Sequence, residues 1–299
     1  MTLFRTVSVL ALASMAAPAM ALDIGGGFSL TGNLEYERLD TGSTDINIAL
    51  ADVDLTYLHS SGFGGFVGVD SFSAGPSPST ETFYGALSYS GDFGRIQIGA
   101  PRTVIDDYVV TPEIGAVDFL EITLGQITGS ILPLILFSSN ETATGVRYDG
   151  SFGAASVGLA YHRVEDLDVV SAAVSYDFNQ GKLMASVENL SSNSTSGSRF
   201  MIGGEYDFGQ VTAGALFSSD NGITDAEAIK GYAVYSPTDR LDLTATVLHL
   251  SVSSTDATMY GLGVNYDLNE QLYVEAGYLG GDTVFSSQDM FTVGLGVNF

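Results

Sequence analysis

The chain has 299 residues, 10 of them basic and 35 acidic, with a net charge of −25 at pH 7 and no cysteine. That balance leaves no basic stripe to neutralise phosphates, which excludes nucleic acid as a partner, and it excludes a disulfide scaffold. Mean hydropathy is nonetheless positive, and 17 Phe with 15 Tyr separate the chain from acidic disordered sequences, which lack aromatic residues.

The chain opens on Arg5, an apolar stretch from Thr6 to Ala16, and Ala19-Met20-Ala21. A positive start, a short apolar run and small residues at a cleavage site make a secretory signal peptide over 1–21. A single domain over 22–299 is then expected, beginning at Leu22. No later segment has the ~20 apolar residues a spanning helix needs; the longest run, Ile131 to Phe137, is interrupted by Pro133.

Apolar and polar residues alternate instead. In the last segment Phe291, Val293, Leu295, Val297 and Phe299 are apolar, whereas Thr292, Gly294, Gly296 and Asn298 are small or polar. Period two over nine residues predicts a strand with two unlike faces. Similar alternation runs through 28–36, 83–89, 157–161, 170–178, 200–208, 241–247, 260–268 and 272–278. Asp23 to Leu39 reads as one strand. The strand Ile46 to Tyr57 shifts its alternation near Asp52, which predicts a bulge or an interface-facing segment.

A repeat lies over this alternation. Tyr57, Tyr89, Tyr148, Tyr176, Tyr206, Tyr235 and Tyr266 each close a strand before a short turn, at spacings of 32, 59, 28, 30, 29 and 31 residues. Five spacings fit two strands of about ten residues with one short and one longer connection. Seven short turns join fourteen strands; one strand precedes them and one follows. The fold expected is all-β, a transmembrane antiparallel up-and-down barrel of sixteen strands, with short periplasmic turns and longer external loops. A closed barrel pairs every backbone group inside a bilayer and needs no disulfide. Tyr at the end of each strand then forms a periplasmic aromatic girdle.

The doubled spacing between Tyr89 and Tyr148 holds a long third loop, about 100–142, carrying Asp106, Asp107, Glu113, Asp118 and Glu121. Loops that long are functional or disordered. Its ILPLILF stretch points to burial, on the inner wall or at a subunit contact. Taking the Tyr-bearing face as lipid-facing, parity sends Arg95, Arg147, Lys182, Arg199, Lys230 and Arg240 to the lumen, where a charge escapes the cost of facing lipid. Arg38 and Arg102 sit where alternation breaks and receive no face; Arg163 has lipid-facing parity near an external rim. His59, His162 and His249 are scattered, and no GxSxG motif accompanies them.

The cleavage site before DIGGGFSLTGNLEYERLD, the GDFGRIQIGAPR that leads into the long loop, and the terminal FTVGLGVNF together resemble the general diffusion porins of Gram-negative bacteria. The style is that of the acidic, Rhodobacter-like porins of α-proteobacteria, and the resemblance spans the whole mature chain. It implies an outer-membrane, water-filled channel for passive diffusion of small hydrophilic solutes and ions, in a homotrimer. It also implies that the third loop folds into the lumen, where its acids face wall bases such as Arg95 and Arg147 and orient solutes. Phe299 takes the part of the signal read by the barrel-assembly machinery, and outer-membrane lipid and lipopolysaccharide surround the barrel. No cofactor is required; external carboxylates offer Ca²⁺ hard oxygen ligands. The acid surplus implies cation preference. The alternatives are a substrate-specific channel, a barrel enzyme and a soluble adhesive β-protein; the last leaves the Tyr repeat and the terminal Phe unexplained.

Overall fold

The structure is a computed structural model that describes residues 21–75, 79–115, 128–139, 141–193, 196–223, 225–252, 255–282 and 289–299. The expected signal peptide falls almost wholly on residues 1–20, outside the described residues. The strands are β1 (Leu22–Gly25), β2 (Phe28–Asp40), β3 (Asp45–Leu58), β4 (Phe63–Ala74), β5 (Thr80–Gly91) and β6 (Gly94–Ala100). After the long loop follow β7 (Thr144–Phe152), β8 (Ala155–Val164), β9 (Leu167–Phe178), β10 (Gly181–Ser191), β11 (Ser196–Asp207) and β12 (Val211–Asn221). The chain ends with β13 (Ala226–Thr238), β14 (Leu241–Val252), β15 (Thr255–Asp267), β16 (Leu272–Gly281) and β17 (Met290–Asn298).

Each strand from β2 to β17 pairs antiparallel with its sequence neighbour, and β17 pairs with β2 from Phe291 opposite Asp40 to Asn298 opposite Asn33. The sheet is therefore a closed ring of sixteen strands. Closure continues to the last residue, where Gly32 donates its N–H to the Phe299 carbonyl at 2.7 Å and Phe299 returns the bond to Gly32 at 3.0 Å. Below that point β1 takes over the same edge of β2, with Leu22 opposite Leu30. This corrects the single strand expected over Asp23 to Leu39. Gly25, Gly26 and Gly27 all have positive φ, between 69° and 86°, and fold the segment into a hairpin.

The two faces follow the alternation. On β17 Phe291, Val293 and Leu295 are exposed on the outside, while Met290, Thr292 and Gly294 are buried on the inside. Tyr89, Tyr176, Tyr206, Tyr235 and Tyr266 stand on the outer face at the short-turn end. Tyr57 is half-buried against Phe28, with ring centroids 4.7 Å apart. Tyr148 departs from the pattern, because β7 runs on to Phe152 before its turn. Its hydroxyl donates to the Phe93 carbonyl at 2.6 Å, and Phe152 takes the exposed terminal position.

The bulge expected near Asp52 is not there: the register of β3 with β2 and with β4 is unbroken across it. The alternation shifts because the inner face of β3 changes character along its length. Ile46, Ile48 and Leu50 face inward at the loop end and join an apolar cluster with Leu39, Phe72, Leu248, Leu250 and Met290. Asp52 and Asp54 then continue the same face toward the turns. A lumen that is part apolar hides the polar-in, apolar-out signal.

An arginine on the outer face at the bilayer midplane costs about 2–4 kcal/mol. Leu262, outward and central on β15, is therefore expected to lose about that much stability as Leu262→Arg, measured by denaturant unfolding from lipid vesicles.

Candidate functional site

The long loop leaves the wall at Ala100 and turns inward. His162, buried on β8, donates from Nε2 to the Pro101 carbonyl at 3.0 Å. Arg147, buried on β7, donates to the Thr103 carbonyl at 2.7 Å, pairs with Asp149 at 2.6 Å, and pairs with Asp107 on the loop. Helix α1 (Ile105–Tyr108) follows. Val104, Ile105 and Tyr108 pack on Ala160, Ala173, Met184, Met201 and Leu216, all inward residues of β8 to β12. Further on, the Lys230 ammonium on β13 donates to Thr111 Oγ1 at 3.2 Å. Ile114 lies over Gly261, Gly263 and Gly277 on β15 and β16, and Gly115 lies beside Glu37 and Glu275.

The returning part of the loop is held as firmly. Arg199 donates to the Gly129 carbonyl at 2.9 Å, and Glu188 accepts from Ser130 Oγ at 2.7 Å and from the Ile131 N–H at 2.9 Å. Helix α2 (Leu132–Ser139) buries Leu132 and Leu136 against Tyr84, Val164, Val169 and Leu190. Phe137 joins the cluster of Leu39, Ile48 and Phe72. The apolar stretch of the loop thus lines the inner wall, which decides between the two locations left open by sequence.

Of the expected loop acids, Asp118 and Glu121 lie outside the described residues. Asp107 meets Arg147 as the charge argument requires. Asp106 is half-buried and accepts from the Ser130 N–H at 3.0 Å. Burial pushes its carboxyl up to about 7, against the lowering effect of that N–H and with the help of Glu188. Glu113 is half-buried between Thr111 and Ile114.

Among the expected lumen bases, Arg95 pairs with Asp149 at 3.2 Å and, among the described residues, with no loop acid. Lys182 lies in register with Glu205 on one side and Asp177 on the other. Arg199 is fully buried and pairs with Asp220 at 2.7 Å. Arg240 sits on an exposed turn. Arg163 is outward and 3.6 Å from Asp168, and Arg38 is outward and 2.5 Å from Asp45.

Two constellations escaped the sequence reading. Arg102 donates to Asp70 at 2.7 Å, Asp52 at 2.7 Å and Asp54 at 2.9 Å, with its guanidinium 4.4 Å from the centre of the Tyr84 ring. Glu35, Glu37 and Glu275 bring carboxylate oxygens within 4.8 Å of one another on the inner face of β2 and β16, the one such three-carboxylate group among the described residues. Tyr273 donates to Glu35 at 2.8 Å and Thr292 to Glu37 at 3.2 Å. Acids spaced two apart on an inward face, at 35 and 37 and at 52 and 54, are the signal that could have found both.

The basic residues divide the lumen. Arg95, Arg147, Lys182, Arg199 and Lys230 all stand on β6 to β13, the half of the wall on which α1 and the Gly129 turn rest. On the other half, β14 to β17 with β2 to β5, Arg38 is the one basic strand residue, and it points outward. The inner face of that half carries Glu35, Glu37, Asp52, Asp54, Asp70 and Glu275, with Glu37 and Asp70 buried, and Arg102 is the one base that reaches it from the loop.

A sequence profile described as Gram-negative porin matches residues 7–283. The chain belongs to the Gram-negative porin family. It is an outer-membrane β-barrel whose lumen is a channel. Among solved structures, a mutant of Rh. blastica porin has a TM-score of 0.69 at 15% identity, covering 91% of this chain and 100% of that one. A loop-deletion mutant of OmpT, an outer membrane protein of Vibrio cholerae, gives 0.69 at 18% identity over 91% and 99%. A triple mutant of Rhodopseudomonas blastica porin gives 0.63 at 13% identity over 91% and 100%. At these identities the structures establish a shared fold. A search of curated protein sequences gives no match.

In this porin a raised carboxyl makes loop docking depend on pH. Asp106 holds its proton better in the docked state than in water, so its contribution to docking is complete below about pH 4 and is lost as pH rises through about 7. Hydrogen exchange at the Ser130 amide, corrected for intrinsic rate, should show more protection at pH 5 than at pH 8. Asp106→Asn should flatten that dependence; a slope unchanged by the substitution would assign it to another group.

Proposed function

We propose that this porin is a cation-preferring general diffusion pore for small hydrophilic solutes and ions, narrowed by its third loop. The observation that carries the reading is the acidic half-wall of β14 to β17 and β2 to β5. Carboxylates lining one side of a water-filled pore raise the local concentration of cations and repel anions. On the opposite half Arg95, Arg147 and Arg199 are paired with Asp149, Asp107 and Asp220, so these three offset little of that field. The transverse field therefore runs from an acidic half-wall to a compensated one, rather than from loop acids to wall bases. Polar solutes passing between them are oriented by it.

The remaining parts of the reading concern setting. The chain enters the periplasm on its 1–21 signal peptide, Phe299 serves as the assembly signal, and the outward Tyr residues anchor the short-turn rim at the periplasmic headgroups. Outer-membrane lipid and lipopolysaccharide contact the wall, and three copies assemble. Planar-bilayer recordings test the function. Conductance steps in groups of three and a reversal potential of cation-selective sign are expected under a KCl gradient. The triple substitution of Glu35, Glu37 and Glu275 by Gln should move that potential toward zero. An anion-selective channel, or a folded barrel that does not conduct, would contradict the reading; saturable block by one solute would favour a substrate-specific channel.

A further inference from the structure

Arg102 is unlike every other base in the barrel. Its side chain comes from the loop root, yet it crosses to the half-wall whose strands turn no basic side chain inward. There it meets Asp52 and Asp54 of β3 and Asp70 of β4, with the ring of Tyr84 from β5 against its guanidinium. Nε reaches both oxygens of Asp54 at 3.1 and 3.3 Å, Nη1 reaches both oxygens of Asp70 at 2.7 and 2.9 Å, and Nη2 reaches Asp52 and Asp54 at 2.7 and 2.9 Å. All three guanidinium nitrogens are engaged. The wall is shaped for the pair: a side chain at Gly68 would collide with Asp54 Oδ1 and come within 3.1 Å of Arg102 Nη2.

We propose that Arg102 is the selectivity-determining residue of this channel, a counter-charge that the loop root lends to three wall aspartates. The inference rests on the cation-preferring reading and names the residue that sets its strength. One guanidinium among three carboxylates leaves the group acidic, so it adds to the field of the wall instead of cancelling it. The group is not sealed off: the Asp52 side chain is 29% exposed and that of Arg102 21%. Ions in the lumen therefore sense its net charge. Planar, forked geometry serves the attachment of the loop root, because a fork satisfies several carboxylates that an ammonium would meet as a single point, whereas ions in the lumen sense the charge. Arg102 thus acts twice, fixing the loop root to β3 and β4 and limiting how negative that stretch of wall becomes.

The test is reversal-potential measurement on Arg102→Ala, Arg102→Lys and the double variant Asp52→Asn with Asp54→Asn, each checked for an intact barrel by heat-modifiable gel mobility. A unit charge several ångströms from a hydrated ion changes its local concentration by a factor of about three. Arg102→Ala should therefore raise the K⁺/Cl⁻ permeability ratio about ninefold over the parent channel, since K⁺ gains and Cl⁻ loses about a factor of three. Arg102→Lys should hold it near the parent value, and the double variant should lower it. Millimolar guanidinium chloride should fill the vacated cage of Arg102→Ala and return the ratio saturably toward the parent value, with no such effect on the parent or from tetramethylammonium. An unchanged ratio in Arg102→Ala, or a shift that Arg102→Lys shares and guanidinium does not reverse, overturns the proposal and leaves Arg102 a structural clamp. Should Arg102→Ala fail to fold, a double variant whose ratio equals the parent's overturns it equally. A parent channel without cation preference would instead count against the function proposed above, since the effect of Arg102 is read as a difference between channels.

Discussion

Everything in this molecule follows from the requirement that no backbone N–H or C=O be left unpaired in hydrocarbon. Each such failure costs several kcal/mol, and the ring meets the demand by joining β17 to β2 down to the Phe299–Gly32 pair. Once closed, a strand can present only two environments, lipid outside and the lumen inside. Period-two patterning is the imprint of that choice on the sequence, and it explains why a chain so acidic is also rich in aliphatic and aromatic residues.

Closure creates a second demand, since a barrel of sixteen strands is too wide for wall side chains to fill. The long loop occupies part of the space, and its attachment uses two kinds of contact. Apolar contacts of α1 and α2 cover inward Ala, Met and Leu residues that would otherwise face water. Charged contacts fix its direction: Arg147 at Asp107, Glu188 at Ser130 and Ile131, Arg199 at Gly129, and Arg102 at the wall aspartates. The few bases of this chain are largely committed to these attachments. The half-wall of β14 to β17 and β2 to β5, toward which no strand base of its own points inward, is left acidic.

Much of the fold was legible because its signals are local. The Tyr spacings carried the strand count, and the one doubled interval carried the loop. Parity placed Arg147 and Arg199 on the inner face, and Asp107 and Arg147 did come together. The misreadings have one physical origin, which is that the lumen is not uniformly polar. Ile48 and Leu50 face inward because Phe72, Phe137 and the loop end of the barrel cover them, and no pattern within β3 records a partner some ninety residues away. The hairpin at Gly25 to Gly27 needed knowledge of where β17 stops. Arg102 lies beyond the end of β6, where parity no longer applies, and its partners come from two other strands. The Glu35, Glu37 and Glu275 group exists only because β17, with Gly294 and Gly296 inward, lets side chains from β2 and β16 approach across it.

The central claim is a closed wall with water on one side and lipid on the other, and the absence of native cysteine makes it directly measurable. Single cysteines introduced in turn at positions 33 to 38 of β2 can be challenged in reconstituted protein with a charged, membrane-impermeant thiol reagent. The account predicts reaction that follows the two faces: a cysteine replacing Glu35 reacts from the aqueous phase and alters conductance, whereas those replacing Leu34 and Tyr36 stay protected by lipid. Uniform reactivity along the segment, or alternation of the opposite phase, would contradict it.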